Sequence, residues 1–431
     1  MTDRPKKLAI LVGGGPAPGI NSVIGAATIR ANLAGIEVVG VLDGFDWLMK
    51  GDVSHVIPLT IPHVSRIHFR GGSHLGISRA NPTTDDALLE TTVLSLLRLD
   101  VDKLITIGGD DTAFSAARIE QRAQGRIHVV HVPKTIDNDV ALPAEVDTFG
   151  FQTARHIGAE IVKNLMVDAK TTHRWYFVVT MGRKAGHLAL GIGKAAGATL
   201  TMIPEEFAGE TVSIDHVVDL LAAAMIKRLA SGRPDGVAVI AEGVAEKIRE
   251  FDPTQSAEIE RDAHGHIRIA EIDLAEILKL KVRARLKEFG VKGTIVGKNI
   301  GYELRCADPI PADMEYARDL GYCAARHVID GGNADIVAMV HGRFMAIPFA
   351  SVMDPRTGRT RVRMVDTDSD RYRIAWVYMI RLKRQDFEDA FELARYAAAA
   401  NMSLDAFRAR FAHLVADPRP SLAPSTQHEK R

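Results

Sequence analysis

The sequence predicts an α/β protein made of two doubly wound, three-layer units, and three observations predict it. Short, uniformly apolar runs recur along the chain, segments with helical spacing separate them, and polar glycine-bearing stretches follow the runs on their C-terminal side. Strands that are apolar throughout belong to parallel sheets covered on both faces, because crossover helices bury each side. At 431 residues the chain exceeds one ordinary domain.

"KLAILV" (7–12) reads as a buried strand, "INSVIGAATIRANL" (20–33) as a helix and "IEVVGVLDG" (36–44) as a second strand. Strands follow at "KLITIG" (103–108) and "RIHVVHVPK" (126–134), with "TAFSAARIEQRAQ" as the crossover helix between them. The pattern resumes with strand "WYFVVTMG" (175–182), helices over 184–198 and 212–229, and strand "GVAVIAEG" (236–243). A helix around 313–329 then leads to strand "NADIVAMVHG" (333–342). A first domain is expected over 1–155, completed by part of 306–415, and a second over 156–305. Residues 250–275 read as a polar surface excursion and 417–431 as a disordered tail.

Composition narrows the function classes. Lys plus Arg and Asp plus Glu both number 54, so no global charge favours nucleic acid or an anionic membrane. No apolar stretch has membrane-spanning length, and the opening "MTDRPKKLAILV" lacks the apolar segment of a signal peptide. Two cysteines, Cys306 and Cys323, exclude a disulfide scaffold and point to the cytoplasm.

In doubly wound sheets, ligands collect at the carboxyl ends of the strands, and four polar segments fall there. "GGGPAPGIN" (13–21) joins the first strand to the first helix. Its glycines, Gly13, Gly14 and Gly15 first, suit either a phosphate loop or a tight turn, and the spacing matches neither the dinucleotide fingerprint nor a Walker loop. "GGDDT" (108–112) sets Gly109 before two adjacent carboxylates, Asp110 and Asp111. They suit Mg²⁺ that bridges phosphates; capping alone accounts for one acid, not two. "PKTIDND" (133–139) offers the cation Lys134, the hydroxyl of Thr135, and the carboxylates Asp137 and Asp139. Phosphoryl transfer to an alcohol needs such a base, and a polar turn is the structural alternative. "TMGRKAGH" (180–187) is a second glycine-rich helix entrance, with Arg183 and Lys184 for an anion. Two anion loops, a metal-capable pair and a base together indicate phosphoryl transfer, with donor and acceptor still unnamed.

The residues resemble the 6-phosphofructokinase family over most of 7–345, through "GGGPAPGINSVI", "GGSHLGISR", "GGDDT", "PKTIDND", "MGRKAGHLAL", "AEG" and "GYELR" in the family's order. The resemblance implies an active site between two α/β domains, where the 1-hydroxyl of fructose 6-phosphate is phosphorylated. By this likeness Asp137 is the base, with Thr135 near the transferring phosphate and Asp139 in support. Gly13, Gly14, Gly15, Arg79, Gly109, Asp110, Asp111 and Lys134 are implied at the donor, Asp110 with Mg²⁺. Thr135, Asp137, Met181, Gly182, Arg183, Glu242, Tyr302 and Arg305 are implied at the sugar phosphate, the last two at its 6-phosphate. Arg174 matches an arginine donated across a subunit interface, which implies a homodimer or homotetramer.

ATP-using relatives typically carry glycine at the position of Asp111 and often at that of Lys134; the pyrophosphate-dependent branch carries aspartate and lysine. A carboxylate at Asp111 fills the space of a nucleotide α-phosphate and repels its charge, while Lys134 compensates the compact pyrophosphate anion. The resemblance therefore implies a reversible, pyrophosphate-dependent enzyme of glycolysis and gluconeogenesis. The alternatives are an ATP-dependent enzyme and an inactive phosphosugar-binding regulator. Two departures stand out. A second interface arginine of the family falls on Val296, where Lys298 or Lys292 substitutes, and "CADPIPADMEYARDLG" after "GYELR" lacks a glycine pair, which leaves sedoheptulose 7-phosphate open as a second acceptor.

Overall fold

The computed structural model describes residues 7–143, 146–207, 209, 211–251, 273–354 and 360–415. Most of the excursion expected at 250–275, and all of the tail expected at 417–431, lie outside them; at its far end Asp273 caps the helix Leu274–Glu288. Among the described residues the chain forms two compact units, one of 7–158 and 300–364, the other of 159–299 and 365–415.

The first unit contains strands β1 (Lys7–Val12), β2 (Glu37–Val41), β3 (Val56–Leu59), β4 (Val101–Gly108), β5 (His128–Thr135) and β6 (Phe149–Gly150). The second contributes β7 (Trp175–Thr180), β8 (Leu200–Met202), β9 (Gly236–Ala241) and β10 (Ile295–Ile300), before β11 (Asp335–Val340) and β12 (Arg343–Pro348) return to the first. The first sheet runs β12-β11-β5-β4-β1-β2-β3, with β6 paired to β5. Side chains alternate across it, as the pleat requires. Leu8, Ile10 and Val12 pack with Ile24 and Leu320 of helices Ile20–Leu33 and Pro311–Ile329. Ala9 and Leu11 pack on the other face with Val93 and Ala116 of helices Asp86–Arg98 and Asp110–Ala123.

The interior ladders are parallel, but both outer pairs, β2–β3 and β11–β12, are antiparallel, which corrects the expectation of a wholly parallel sheet. Each edge has a local cause. His341 and Gly342 take positive φ (49° and 73°), the mirror-image turn that reverses a chain in two residues. Pro58 lacks an N–H and is tolerated on the outer strand β3.

The second sheet runs β10-β7-β9-β8, with β7 and β8 both parallel to β9. Helices His187–Ala196, Ile214–Ala230 and Leu274–Glu288 pack around it. Residues 365–415 belong to this unit: helix Ala390–Ala399 lies against Ile214–Ala230, and Leu393, Tyr396, Phe407 and Phe411 are buried. Arg381 lies 2.7 Å from Glu206 in an ion pair with both side chains buried. No described helix is long and apolar enough to cross a membrane.

Candidate active site

In the first unit, the carboxyl ends of β1, β4 and β5 bring three of the four polar segments together. Gly13 N donates to Ile107 O at 2.9 Å, and Gly14 N to Ser78 O at 2.9 Å, so the glycine loop is tied both to β4 and to the "GISR" segment that carries Arg79. Side chains are excluded here for identifiable reasons. A Cβ on Gly13 would lie 2.6 Å from Thr112 Oγ1, and Gly14 takes φ 84°. Cβ atoms on Gly14 and Gly15 would face Lys134 Nζ at 3.5 Å and the Arg305 guanidinium at 3.4 Å. The absent side chains thus leave a cradle walled by two cations. Gly109 precedes helix Asp110–Ala123, which places Asp110 and Asp111 in its first turn, where the helix dipole favours negative charge.

Lys134 closes this cradle from β5. It is buried, and its Nζ donates to Gly15 O. Burial pushes its ammonium down to about 7, Arg305 and Arg79 push the same way, and Asp137 and Asp110 oppose them. Lys134, Arg305, Arg79, Asp137 and Asp110 are therefore one electrostatic group. The cluster holds three cations that an anion between them would relieve.

The loop after β5 is fixed by its own polar groups. Asp137 N donates to Thr135 Oγ1 at 3.0 Å, and Thr148 Oγ1 donates to Thr135 O at 2.9 Å. Asp137, Asn138 and Asp139 are all buried, and Asn138 takes φ 58°. Its amide bridges Asp147 Oδ1 (2.7 Å) and Thr148 N (3.0 Å). His131, earlier on β5, is a structural group. It sits between the Thr106 hydroxyl at 2.8 Å and Gly108 O at 3.0 Å, and burial holds it down at about 3, so it is neutral. The neutral ring donates to Gly108 O and accepts from Thr106, which anchors the turn that carries the aspartate pair.

In the second unit, Met181, Gly182 and Arg183 follow β7, and Glu242 follows β9. Glu242 Oε1 accepts from Gly182 N at 3.0 Å and from Arg183 N at 2.8 Å. The carboxylate expected on sugar hydroxyls thus also builds the loop that presents Arg183. Arg183 takes φ 49°, a strained conformation for a side chain of its size and one that concentrates at functional positions. Glu205, which the motifs do not reveal, accepts from Gly186 N and Val365 N at 2.9 Å each, and burial pushes its carboxyl up. Arg174 stands beside Asp168 of its own chain, with Nε 3.7 Å from Oδ2.

Tyr302 and Arg305 occupy helix Tyr302–Arg305 of the first unit, with the guanidinium 5.6 Å from the ring centroid. Arg305 accordingly lies among the residues expected at the donor, beside Gly15 and Lys134. Thr112 suits a helix cap by sequence, but the cap position is Gly109 and Thr112 lies inside the helix; Asp147 and Arg363 carry no sequence signal. Arg363 clasps the loop after β5 from 225 residues away, too far for any spacing pattern to reveal. Among the described residues no three or more His, Cys, Asp or Glu side chains form a metal cluster. Asp110 and its neighbour instead suit a cation that draws its remaining ligands from phosphate oxygens and water.

Residues 7–328 match the phosphofructokinase family. The chain is 52% identical over 422 residues to a pyrophosphate--fructose 6-phosphate 1-phosphotransferase of Thermotoga maritima, covering 96% of this chain and 100% of that one. It is 47% identical over 417 residues to a protein of the same name from Naegleria fowleri, covering 95% of each. A solved structure of pyrophosphate-dependent phosphofructokinase from Nitrosospira multiformis superposes with TM-score 0.65 at 17% identity, over 92% of each chain, a likeness of fold. The chain belongs to the phosphofructokinase family.

Proposed function

We propose that this protein is a pyrophosphate-dependent 6-phosphofructokinase, which transfers a phosphoryl group reversibly from pyrophosphate to the 1-hydroxyl of fructose 6-phosphate. The observation that carries the donor reading is Lys134. Its buried ammonium lies over Gly14 and Gly15 beside Arg305, so the cradle offers concentrated positive charge for a small polyanion. Asp111, in the adjoining helix turn, is the charge a nucleotide's α-phosphate would meet. Relatives named for the pyrophosphate reaction align over nearly the whole chain.

In this reading, Lys134, Arg79 and the N–H groups around Gly13–Gly15 hold pyrophosphate, and Arg305 adds charge at the phosphates. Asp110 would hold Mg²⁺, which would supply charge neutralisation at the phosphates. Asp137 takes the proton of the sugar's 1-hydroxyl, supported by Thr135 and Asp139. Arg183, Met181, Gly182 and Glu242 bind the sugar phosphate, with Tyr302 at its 6-phosphate. Arg174 extends to a second copy's sugar site, which makes the working form at least a dimer.

Fructose 1,6-bisphosphate formation with Mg²⁺ and either pyrophosphate or ATP tests the reading. Turnover with pyrophosphate alone is expected. Turnover with ATP alone would overturn the donor assignment. In a protein that uses pyrophosphate alone, the paired Asp111→Gly, Lys134→Gly variant should gain ATP use, and no gain would remove those side chains as the reason nucleotide is excluded.

A further inference from the structure

We propose that Arg363 is a positioning residue for the candidate base Asp137, acting through the turn at Asn138; this rests on the phosphotransferase reading. The two stretches lie far apart in sequence and meet in the first unit, where Val362 bridges Val140 in antiparallel fashion. Arg363 N donates to Asp139 O at 2.7 Å. Its Nε and Nη2 donate to Asn138 O at 3.1 and 3.0 Å, and Nη2 also reaches Asn138 Oδ1. Nη1 donates to Pro143 O at 3.2 Å and Val146 O at 2.7 Å. All three guanidinium nitrogens therefore hold oxygens of a single loop, and a rigid planar fork does this where a flexible ammonium cannot.

The geometry explains why such a clasp is needed. Asn138 is left-handed between two buried carboxylates, a conformation open to asparagine but one of several that its surroundings must select among. Arg363 donates to both the carbonyl and the amide oxygen of Asn138, Thr148 N shares that amide oxygen, and Asp147 accepts from the amide nitrogen. Fixing this residue fixes the peptide on either side of it, and with it the direction in which the Asp137 carboxylate leaves the chain. A base must lie within hydrogen-bond reach of the proton it takes, and small displacements of reacting groups are costly.

Arg363→Lys keeps the charge and removes the fork. In the forward pyrophosphate assay its kcat is expected to fall about 10- to 100-fold, as for misplaced reacting groups, with the KM values for pyrophosphate and fructose 6-phosphate changed less than about threefold. Added to Asp137→Asn, it should cause little further loss, since the base it aims is gone. Guanidinium in solution should restore part of the activity of Arg363→Ala. A folded Arg363→Lys enzyme with kcat within twofold of wild type overturns the proposal. So does a loss that multiplies fully onto that of Asp137→Asn, and so does a lysine variant that does not fold, either of which makes Arg363 a general scaffold. A wild-type protein without pyrophosphate turnover refutes the function itself, a separate outcome read before any variant is made.

Discussion

At the scale of single residues, the proposed chemistry concentrates on Asp137 and Lys134. Replacing Asp137 with Asn keeps the shape and removes the proposed proton acceptor, so kcat should drop about 10³-fold, within the range for a lost general base. Coupled assays against pyrophosphate titrations by calorimetry separate this from binding: an unchanged kcat would remove Asp137 from that role. Lys134 gives a proton signature. Its ammonium is held at about 7 against an ordinary 10.5, so the unligated protein is short of that proton between the two values. The unfolded chain binds it there, so this lysine's contribution to stability is complete above 10.5 and is lost as pH falls through 7. A bound polyanion favours the charged form, and pyrophosphate binding should therefore take up a proton between those limits and little below about pH 6. Calorimetry in buffers of different ionisation enthalpy measures this uptake; Lys134→Met should lack it, and equal uptake in both proteins would contradict the assignment.

At the scale of elements, the glycine loop is shaped by what it packs against. A methyl group at Gly13 would enter the space of Thr112 Oγ1 and Cγ2, 2.6 and 2.9 Å away. Gly13→Ala should raise the KM for pyrophosphate about tenfold or more by moving the loop, while the KM for fructose 6-phosphate changes little. Steady-state kinetics with each substrate varied decides it, and equal increases in both would mean a diffuse effect. These elements were largely legible in the sequence. The uniformly apolar runs that form β1 and β4, each followed by glycines, and the longer mixed segment that forms Ile20–Leu33 are told apart by length and composition, so residue order alone places them. The glycine and aspartate segments were legible too, since strand ends in this architecture gather ligands. The antiparallel edges were not, because a two-residue reversal at His341–Gly342 has no hydrophobic period. Nor were Arg363 and Glu205, whose partners are main-chain groups far away along the chain, where any sequence offers the same carbonyl or N–H. The position of Arg305 beside Gly15 was not legible either, a relation that tertiary folding alone creates.

At the scale of the whole molecule, the segment 365–415 contributes to the second unit's core. The Arg381–Glu206 pair marks the join, with Arg381 also donating to Thr201 O on β8. Arg381→Ala would strand a buried carboxylate and should destabilise the protein by about 3–5 kcal/mol. Urea unfolding followed by fluorescence and circular dichroism measures this; a change below about 1 kcal/mol, typical of an exposed pair, would show that water reaches Glu206. The first unit has a different dependence on late sequence. Its cradle begins at Gly13, yet Arg305, the strand beside β5 and the clasp on Asn138 all come from Ile300–Met364. A ribosome therefore displays the glycine loop and both aspartate segments long before the chain that completes them exists. Until then the open side of β5 and the apolar face that helix Pro311–Ile329 will cover are unpaired in the nascent chain. The glycine loop and the aspartate segments are encoded before the stretch that completes them, so this unit acquires its native form only once Ile300–Met364 has been made, and translation pauses before residue 300 prolong the interval in which these surfaces are exposed.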